Sequence, residues 1–139
     1  MAHWLLKTEP DVFSWDDLVK KGKKGEPWNG VRNHTARANL QAMKKGERGF
    51  IYHSNEGKEI VGVCEVIRES YPDPTAETGP WVCVDVIAVA PFARPVTLAE
   101  VKADATFAQM ALVKFSRLSV QPVTDDEWKR LCKLGGVKP

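Results

Sequence analysis

Phe50-Ile-Tyr-His-Ser54, the turn Asn55-Glu-Gly57 and the long run from Glu59 to Ser70 decide the fold class. The two flanking segments are rich in β-branched and aromatic residues, and the Asn-Glu-Gly step between them tolerates the left-handed backbone of a tight reversal. They read as antiparallel strands, and Trp81 to Ala90 has the composition of a third. Tyr71-Pro-Asp-Pro-Thr75 interrupts the run as a stiff loop, and the prolines between Pro91 and Pro95 are expected to end the third strand.

Upstream, His3 to Lys7 reads as a short strand stopped by Thr8-Glu9-Pro10, because Pro10 lacks an amide donor and biases Glu9 towards extended geometry. Ser14 with Asp17, Thr97 with Glu100 and Thr124 with Glu127 each place a hydroxyl cap three residues before an acid, the spacing of a helix start. The first of these helices should end near Gly22 and the last at Gly135-Gly136. A further helix is expected over 34–45, since Ala36, Leu40 and Met43 fall on one face, Asn33 stands at the N-cap and Gly46 follows as a stop. The basic, glycine-rich segment Lys20 to Pro27 reads as a mobile linker, and Val113 to Val120 is the remaining strand candidate. Strands early, midway and late with short helices between them give an α+β domain over residues 1–139, a mixed, partly closed β-barrel with helices packed around it.

Composition excludes several classes. With 139 residues, 43% hydrophobic and 27% charged, the chain is neither disordered nor fibrous and can bury a core without staples. No apolar run approaches the ~20 residues of a membrane span and no secretory signal opens the chain, so no membrane partner and a cytoplasmic location of the bacterial type are expected. Cys64, Cys83 and Cys132 are odd in number and widely spaced, and His3, His34 and His53 are isolated from one another. Reduced thiols, no metal and no cofactor are the expectation, and nothing specifies an oligomer beyond a monomer. The net charge of +2 is unevenly placed: residues 20–48 hold nine Lys or Arg against Glu26 and Glu47. Such a segment is either the footprint of a polyanion partner or a pair of solvated lysine-rich loops.

Three separated stretches carry the chemistry: Trp4-Leu-Leu-Lys-Thr-Glu-Pro10, Trp28-Asn-Gly-Val-Arg-Asn33 and Ser116-Arg-Leu-Ser-Val-Gln121. Flat aromatic faces, amides, a carboxylate and fixed positive charge are what hold a planar heterocycle beside phosphates. The expected base-binding set is Trp28, Asn29, Gly30, Val31, Asn33, Tyr52, His53, Ser54, Lys7, Glu9, Pro10, Ser116, Leu118 and Ser119, with Arg32, Arg37, Lys44 and Arg117 on phosphate. Trp28 is expected to face solvent and stack, while Asn29, Asn33, Ser54 and the backbone of 29–31 read polar edges. Asn33 is a cap, an edge reader or both. Glu9 either accepts from a base or pairs with Lys7 or Arg32, and Arg32 either holds phosphate or pairs with Asp16 or Asp17. Along the strand Tyr52 and Ser54 share a face and His53 takes the other, and the first pair is favoured as pocket lining. Trp15 is a hydrophobic plug or a second wall, with the plug preferred, and Trp4, Trp81 and Trp128 are assigned to the core.

These residues resemble the EVE domain family, a PUA-like barrel fold, from residue 3 to residue 134. The strings that carry the resemblance are Trp4-Leu-Leu-Lys-Thr-Glu-Pro10 with Ser14-Trp-Asp-Asp-Leu18, Trp28-Asn-Gly-Val-Arg-Asn33 with Ala36-Arg37, Tyr52-His-Ser54, Val61-Gly62, and Ser116-Arg-Leu-Ser-Val-Gln-Pro-Val123. Related PUA-like domains include YTH readers of methylated adenine in RNA and SRA readers of methylated cytosine in DNA. The resemblance therefore implies a non-enzymatic reader of a modified base, such as a modified cytosine, with DNA the expected polymer rather than RNA and the base flipped into the pocket. Two departures stand out: His34 where the family often has Tyr, and a stretch from Asp73 to Trp81 shorter than the aromatic insertion of relatives. Two alternatives remain, a small enzyme deacylating a modified nucleoside in the manner of the similarly shaped ASCH domains, and a receptor for a free base or nucleoside.

Overall fold

The computed structural model describes all residues from Met1 to Pro139. Six strands form one mixed sheet: β1 (His3–Thr8), β2 (Glu26–Pro27), β3 (Arg48–His53), β4 (Glu59–Pro72), β5 (Val82–Thr97) and β6 (Val120–Val123). Their spatial order is β2-β5-β4-β3-β1-β6. The expected antiparallel run is present in β3, β4 and β5, whereas β1 lies parallel to β3, Leu5 opposite Phe50 and Lys7 opposite Tyr52. The long strands β4 and β5 shift register four times, and each irregularity adds twist. The sheet curls but stays open, with β2 and β6 as its edges.

Helices cover both faces, so Trp4, Leu5 and Leu6 are all buried although alternate side chains of a strand point to opposite sides. Trp4 and Leu6 join one core with Trp15 and Leu18 of α1 (Trp15–Lys20) and Leu40 of α2 (His34–Ala42). Leu5 joins the other, with Phe50, Tyr52 and residues of α3 (Leu98–Ala103), α4 (Ala111–Lys114) and α5 (Asp125–Gly135). Trp128 anchors α5 there, its ring stacked 4.1 Å from Phe50 and 4.2 Å from His3. Ser14, Thr97 and Thr124 each form a reciprocal capping box with the acid three residues on. No helix is long and apolar enough to cross a membrane. The three cysteines are free and buried.

Several sequence expectations need correction. The strand expected over Val113–Val120 is instead the single helical turn of α4, a loop and then β6. The cause is Gln121, wholly buried, whose side-chain amide donates to the carbonyls of Phe115 (3.1 Å) and Leu118 (2.9 Å) and gathers the loop into a compact bend. β5 does not stop at Pro91 but continues to Thr97, because β2 pairs with it only at Asp85 and Val86 and the prolines beyond meet no ladder on that side. Lys20 to Pro27 is no free linker: after a 3₁₀ turn at Gly22–Lys24, Glu26 and Pro27 pair with β5. Gly25 permits this with φ of 74°, and a Cβ there would stand 2.6 Å from the Val86 carbonyl oxygen. α2 ends at Ala42, short of residue 45, where Met43 turns extended.

Trp15 is the expected plug. Its ring lies flat against Gly62 of β4, where a methyl group would come within 2.6 Å of ring carbons. Gly62→Ala should therefore lower stability by about 1–3 kcal/mol in urea or thermal melts. An unchanged midpoint would show that the ring can move aside.

Candidate functional site

β1 and β3 run side by side and end together, and the stretches singled out in the sequence meet at that end. The Lys7 amide donates to the Ser119 carbonyl (2.9 Å) and its ammonium to the Ser116 carbonyl (2.8 Å), tying the 116–119 segment to β1. The Ser54 amide donates to the Thr8 carbonyl (2.9 Å), tying in the end of β3. Trp28 enters from the other side, its amide donating to the Val84 carbonyl (2.7 Å).

Three adjoining depressions result. The first, about 160 Å³, lies between Thr8, Phe13, Pro27, Trp28 and Asn29 with Lys7 at its margin. The second, about 410 Å³, lies between Asn33 and Thr35 at the start of α2 and the segment Phe115 to Leu118. The third, about 270 Å³, includes Lys7, Tyr52, Ser54 and Ser116. Lys7 borders the first and third, and Ser116 the second and third.

The residues expected to bind a base divide among these places. Trp28 is not solvent-facing: it is 8% exposed within a core cluster and meets Phe13 edge to face at 6.1 Å, so only a margin of its ring reaches the first depression. Val31 is buried in the same core and lines none of the three. The backbone of 29–31 is not free to read edges either, since the Asn29 amide donates to Pro27 (3.0 Å) and the Gly30 amide to the Asp73 carboxylate (2.8 Å). The Asn29 side chain is exposed on the depression's wall. Asn33 caps α2 through Oδ1, which accepts from the Ala36 amide at 2.9 Å, and also lines the second depression. Leu118 and Ser116 line it too, while Ser119 contributes its carbonyl to Lys7.

Tyr52 and Ser54 share a cavity as expected, but on the sheet face away from Trp28. His53 takes the other face, and its Nε2 accepts from the Trp15 amide at 3.0 Å, which makes it a structural acceptor and not a pocket residue. Burial holds its imidazole below the ordinary value, against the pull of Glu59 and Asp16. Glu9 and Pro10 line none of the three depressions. The exposed Glu9 carboxylate makes no ion pair, and its carbonyl accepts from Val12 and Phe13.

Of the residues expected on phosphate, Arg117 lies exposed on the second depression. Lys44 does not belong to this end at all: it precedes β3, six residues of strand away, where its amide donates to the buried Glu47. Arg37 is half-buried on α2, with its Nε unpartnered. Arg32 pairs with neither Asp16 nor Asp17 but with Asp73 at 3.0 Å. The excess charge of residues 20–48 is thus spread over both ends of the sheet. Sequence reading missed Phe13, Thr35, Phe115 (56% exposed), Lys58 and Lys102 at the cleft, because each belongs to an element with an ordinary pattern of its own.

It also missed Asp73, which latches the Trp28–Asn33 loop. Its carboxylate accepts from the Gly30 amide, from Arg32 and from both the amide (2.8 Å) and hydroxyl (2.7 Å) of Thr75. Beside it Trp81, assigned to the core from sequence, is instead half-exposed, stacked on His34 at 4.9 Å with the Arg32 guanidinium 5.8 Å from its ring. Burial alone would raise the Asp73 carboxyl, but the hydrogen bonds from Thr75, Gly30 and Arg32 outweigh it and bring it down to about 2. A carboxylate depressed below its ordinary 3.8 adds stability above that value and loses it as pH falls towards 2. Asp73→Asn should flatten the acid limb of the stability curve in that window and speed hydrogen exchange at Gly30, measured by denaturant melts and amide NMR. An acid limb as steep as that of the unaltered chain would remove Asp73 from this role.

Two polar side chains at this end of β1 hold backbone carbonyls. Thr8 donates its hydroxyl proton to the Phe13 carbonyl (2.6 Å), and the Lys7 ammonium is bound to Ser116. No three His, Cys, Asp or Glu side chains converge as metal ligands.

Known proteins share this architecture. Human thymocyte nuclear protein 1 is 35% identical over 170 aligned positions, covering 99% of this chain and 76% of its own. A Rhodopseudomonas palustris protein solved by NMR is 61% identical with a TM-score of 0.92, covering 98% and 94% of the two chains. The human THYN1 protein, crystallised in complex with 5-methylcytosine-containing DNA, is 36% identical with a TM-score of 0.89 over 100% of both chains. The YTH domain of a Zygosaccharomyces rouxii protein, 18% identical with a TM-score of 0.58, shares the fold. The EVE domain profile matches residues 2–134, and the chain belongs to the EVE domain family.

Proposed function

We propose that this chain is a non-enzymatic DNA-binding domain that takes a modified cytosine, flipped from its strand, into the depression between Thr8, Phe13, Trp28 and Asn29. The observation that carries the reading is the Asn29 side chain. It is exposed on the wall of a partly aromatic depression, and no hydrogen bond within the fold engages its amide. Its carbonyl oxygen can accept from the exocyclic amino group of cytosine while its NH₂ donates to a ring acceptor, which thymine would not satisfy in the same way. The THYN1 complex with 5-methylcytosine-containing DNA supports the choice of base and polymer.

Flipping costs a few kcal/mol, and base stacking on a full aromatic face returns about 1–3 kcal/mol. Trp28 offers only the margin of its ring, so polar contacts must supply more of the balance here than in an open aromatic cage. A buried methyl adds ~0.8 kcal/mol, which limits preference for the modified base from that source to under about tenfold. In this reading Arg117 and Phe115, which line the second depression, follow the neighbouring backbone and base.

Trp28→Ala is a poor probe, because truncating a buried Trp costs about 3–5 kcal/mol of stability. Asn29→Ala removes an exposed side chain and should leave the melting curve unchanged. Fluorescence titrations with matched duplexes carrying cytosine or 5-methylcytosine should then show at least tenfold weaker binding of both. Undiminished binding by Asn29→Ala would rule out this depression as the base pocket.

A further inference from the structure

The third depression is different in kind from the other two. Three lysines, Lys7, Lys58 and Lys102, converge on it from β1, the 55–58 turn and α3. The Lys58 carbonyl accepts from the Leu98 amide at 2.8 Å, and Lys102 follows Leu98 by one helical turn, so the two elements are tied where their lysines meet. No carboxylate lines the cavity. Lys21, Arg32, Arg48, Arg94 and Arg130 each have an acidic partner within 4 Å, and none of these three lysines does. The other polar side chains lining it are the hydroxyls of Ser54, Ser116 and Tyr52, the last on a residue only 3% exposed, and the amide of Asn55.

Three ammonium groups around one hollow repel one another, and an anion bound between them would relieve that repulsion. Lys7 is the most constrained: half-buried, it has an amine shifted below its ordinary value by desolvation, and it also lies 5.8 Å from the centre of the Tyr52 ring. The turn that delivers Lys58 is strained as well. Asn55 and Lys58, with φ of 69° and 46°, are the chain's two non-glycine residues in the left-handed region. Lysines are compact point charges that surround a tetrahedral oxyanion, and hydroxyls complete its hydrogen bonds.

We propose that the cavity of Lys7, Lys58 and Lys102 is a phosphate-binding subsite. Lys7 is the wall it shares with the Trp28–Asn29 depression, so a phosphodiester of the strand whose base occupies that depression is within reach of the same ligand. The polymer as source of the phosphate rests on the DNA-binding reading above; the anion site does not, since a phosphorylated small molecule presents the same chemistry.

The test uses Lys58→Gln with Lys102→Gln, both exposed, leaving Lys7 intact. Inorganic phosphate added to the unaltered protein should move the amide resonances of Ser54, Asn55, Lys58 and Ser116 saturably, where chloride at equal ionic strength does not. The double variant should lose that response. Absent shifts, or the same shifts in the double variant, overturn the subsite whatever DNA does. With a 5-methylcytosine duplex, the variant's slope of log affinity against log salt should become shallower by about one unit, with cytosine discrimination unchanged. An unchanged slope alongside intact phosphate shifts overturns the DNA strand as the source and leaves a phosphorylated small molecule. Phosphate shifts in a protein that binds no duplex would instead sink the DNA-binding reading and keep the subsite.

Discussion

The parallel ladder between β1 and β3 is the constraint from which the rest follows. Two parallel neighbours need a long crossover, here supplied by α1, β2 and α2, and they finish at the same end of the sheet. That crossover carries the Trp28–Asn33 loop back to the place where β1 stops at Thr8 and β3 at His53. Because helices cover both faces, Trp4, Leu5 and Leu6 of β1 are buried on both sides, and the polar residues that follow them, Lys7 and Thr8, emerge where the sheet runs out. Lys7 and Thr8 then face opposite sides, one towards Tyr52 and the other towards Phe13 and Trp28. A single strand end thereby serves two different hollows.

Much of this was legible in the chain. Capping boxes, the Asn-Glu-Gly reversal and apolar runs are local signals whose physics does not wait for tertiary structure, and they located α1, α3, α5 and the β3–β4 hairpin. Convergence of the three polar and aromatic stretches was also readable from domain size. Burial was not: Trp28 stands beside Asn-Gly, which marks a loop, yet its ring turns inward against Phe13 because the edge pairing of Glu26 and Pro27 fixes the preceding backbone. The strand assignment for Val113–Val120 failed because one buried amide, that of Gln121, outweighs the β-propensity of several residues.

Charge was the least transferable signal. A count along residues 20–48 sums lysines that lie at opposite ends of the sheet, while Lys58 and Lys102, 44 positions apart in the chain, share one cavity. Asp73 was hidden for a related reason. Within Tyr-Pro-Asp-Pro it reads as loop punctuation, and only the fold shows that it is buried and holds Gly30 and Arg32 from 43 and 41 residues away. Sequence reports what a residue can do; which neighbours ask it to do so is settled by the crossover.

The segment from Asp73 to Trp81 closes on itself, with the Asp73 amide donating to the Trp81 carbonyl at 3.0 Å. Its ends are therefore stapled before anything is placed between them, and the entropy of a longer loop grows only slowly, by about 0.6 kcal/mol per doubling. The human relative's alignment of 170 positions against 139 residues leaves about 30 of its positions without a counterpart in this chain. A loop whose ends are already joined by a hydrogen bond can lengthen without re-registering β4 or β5. The sheet can stay fixed while the length of this loop changes.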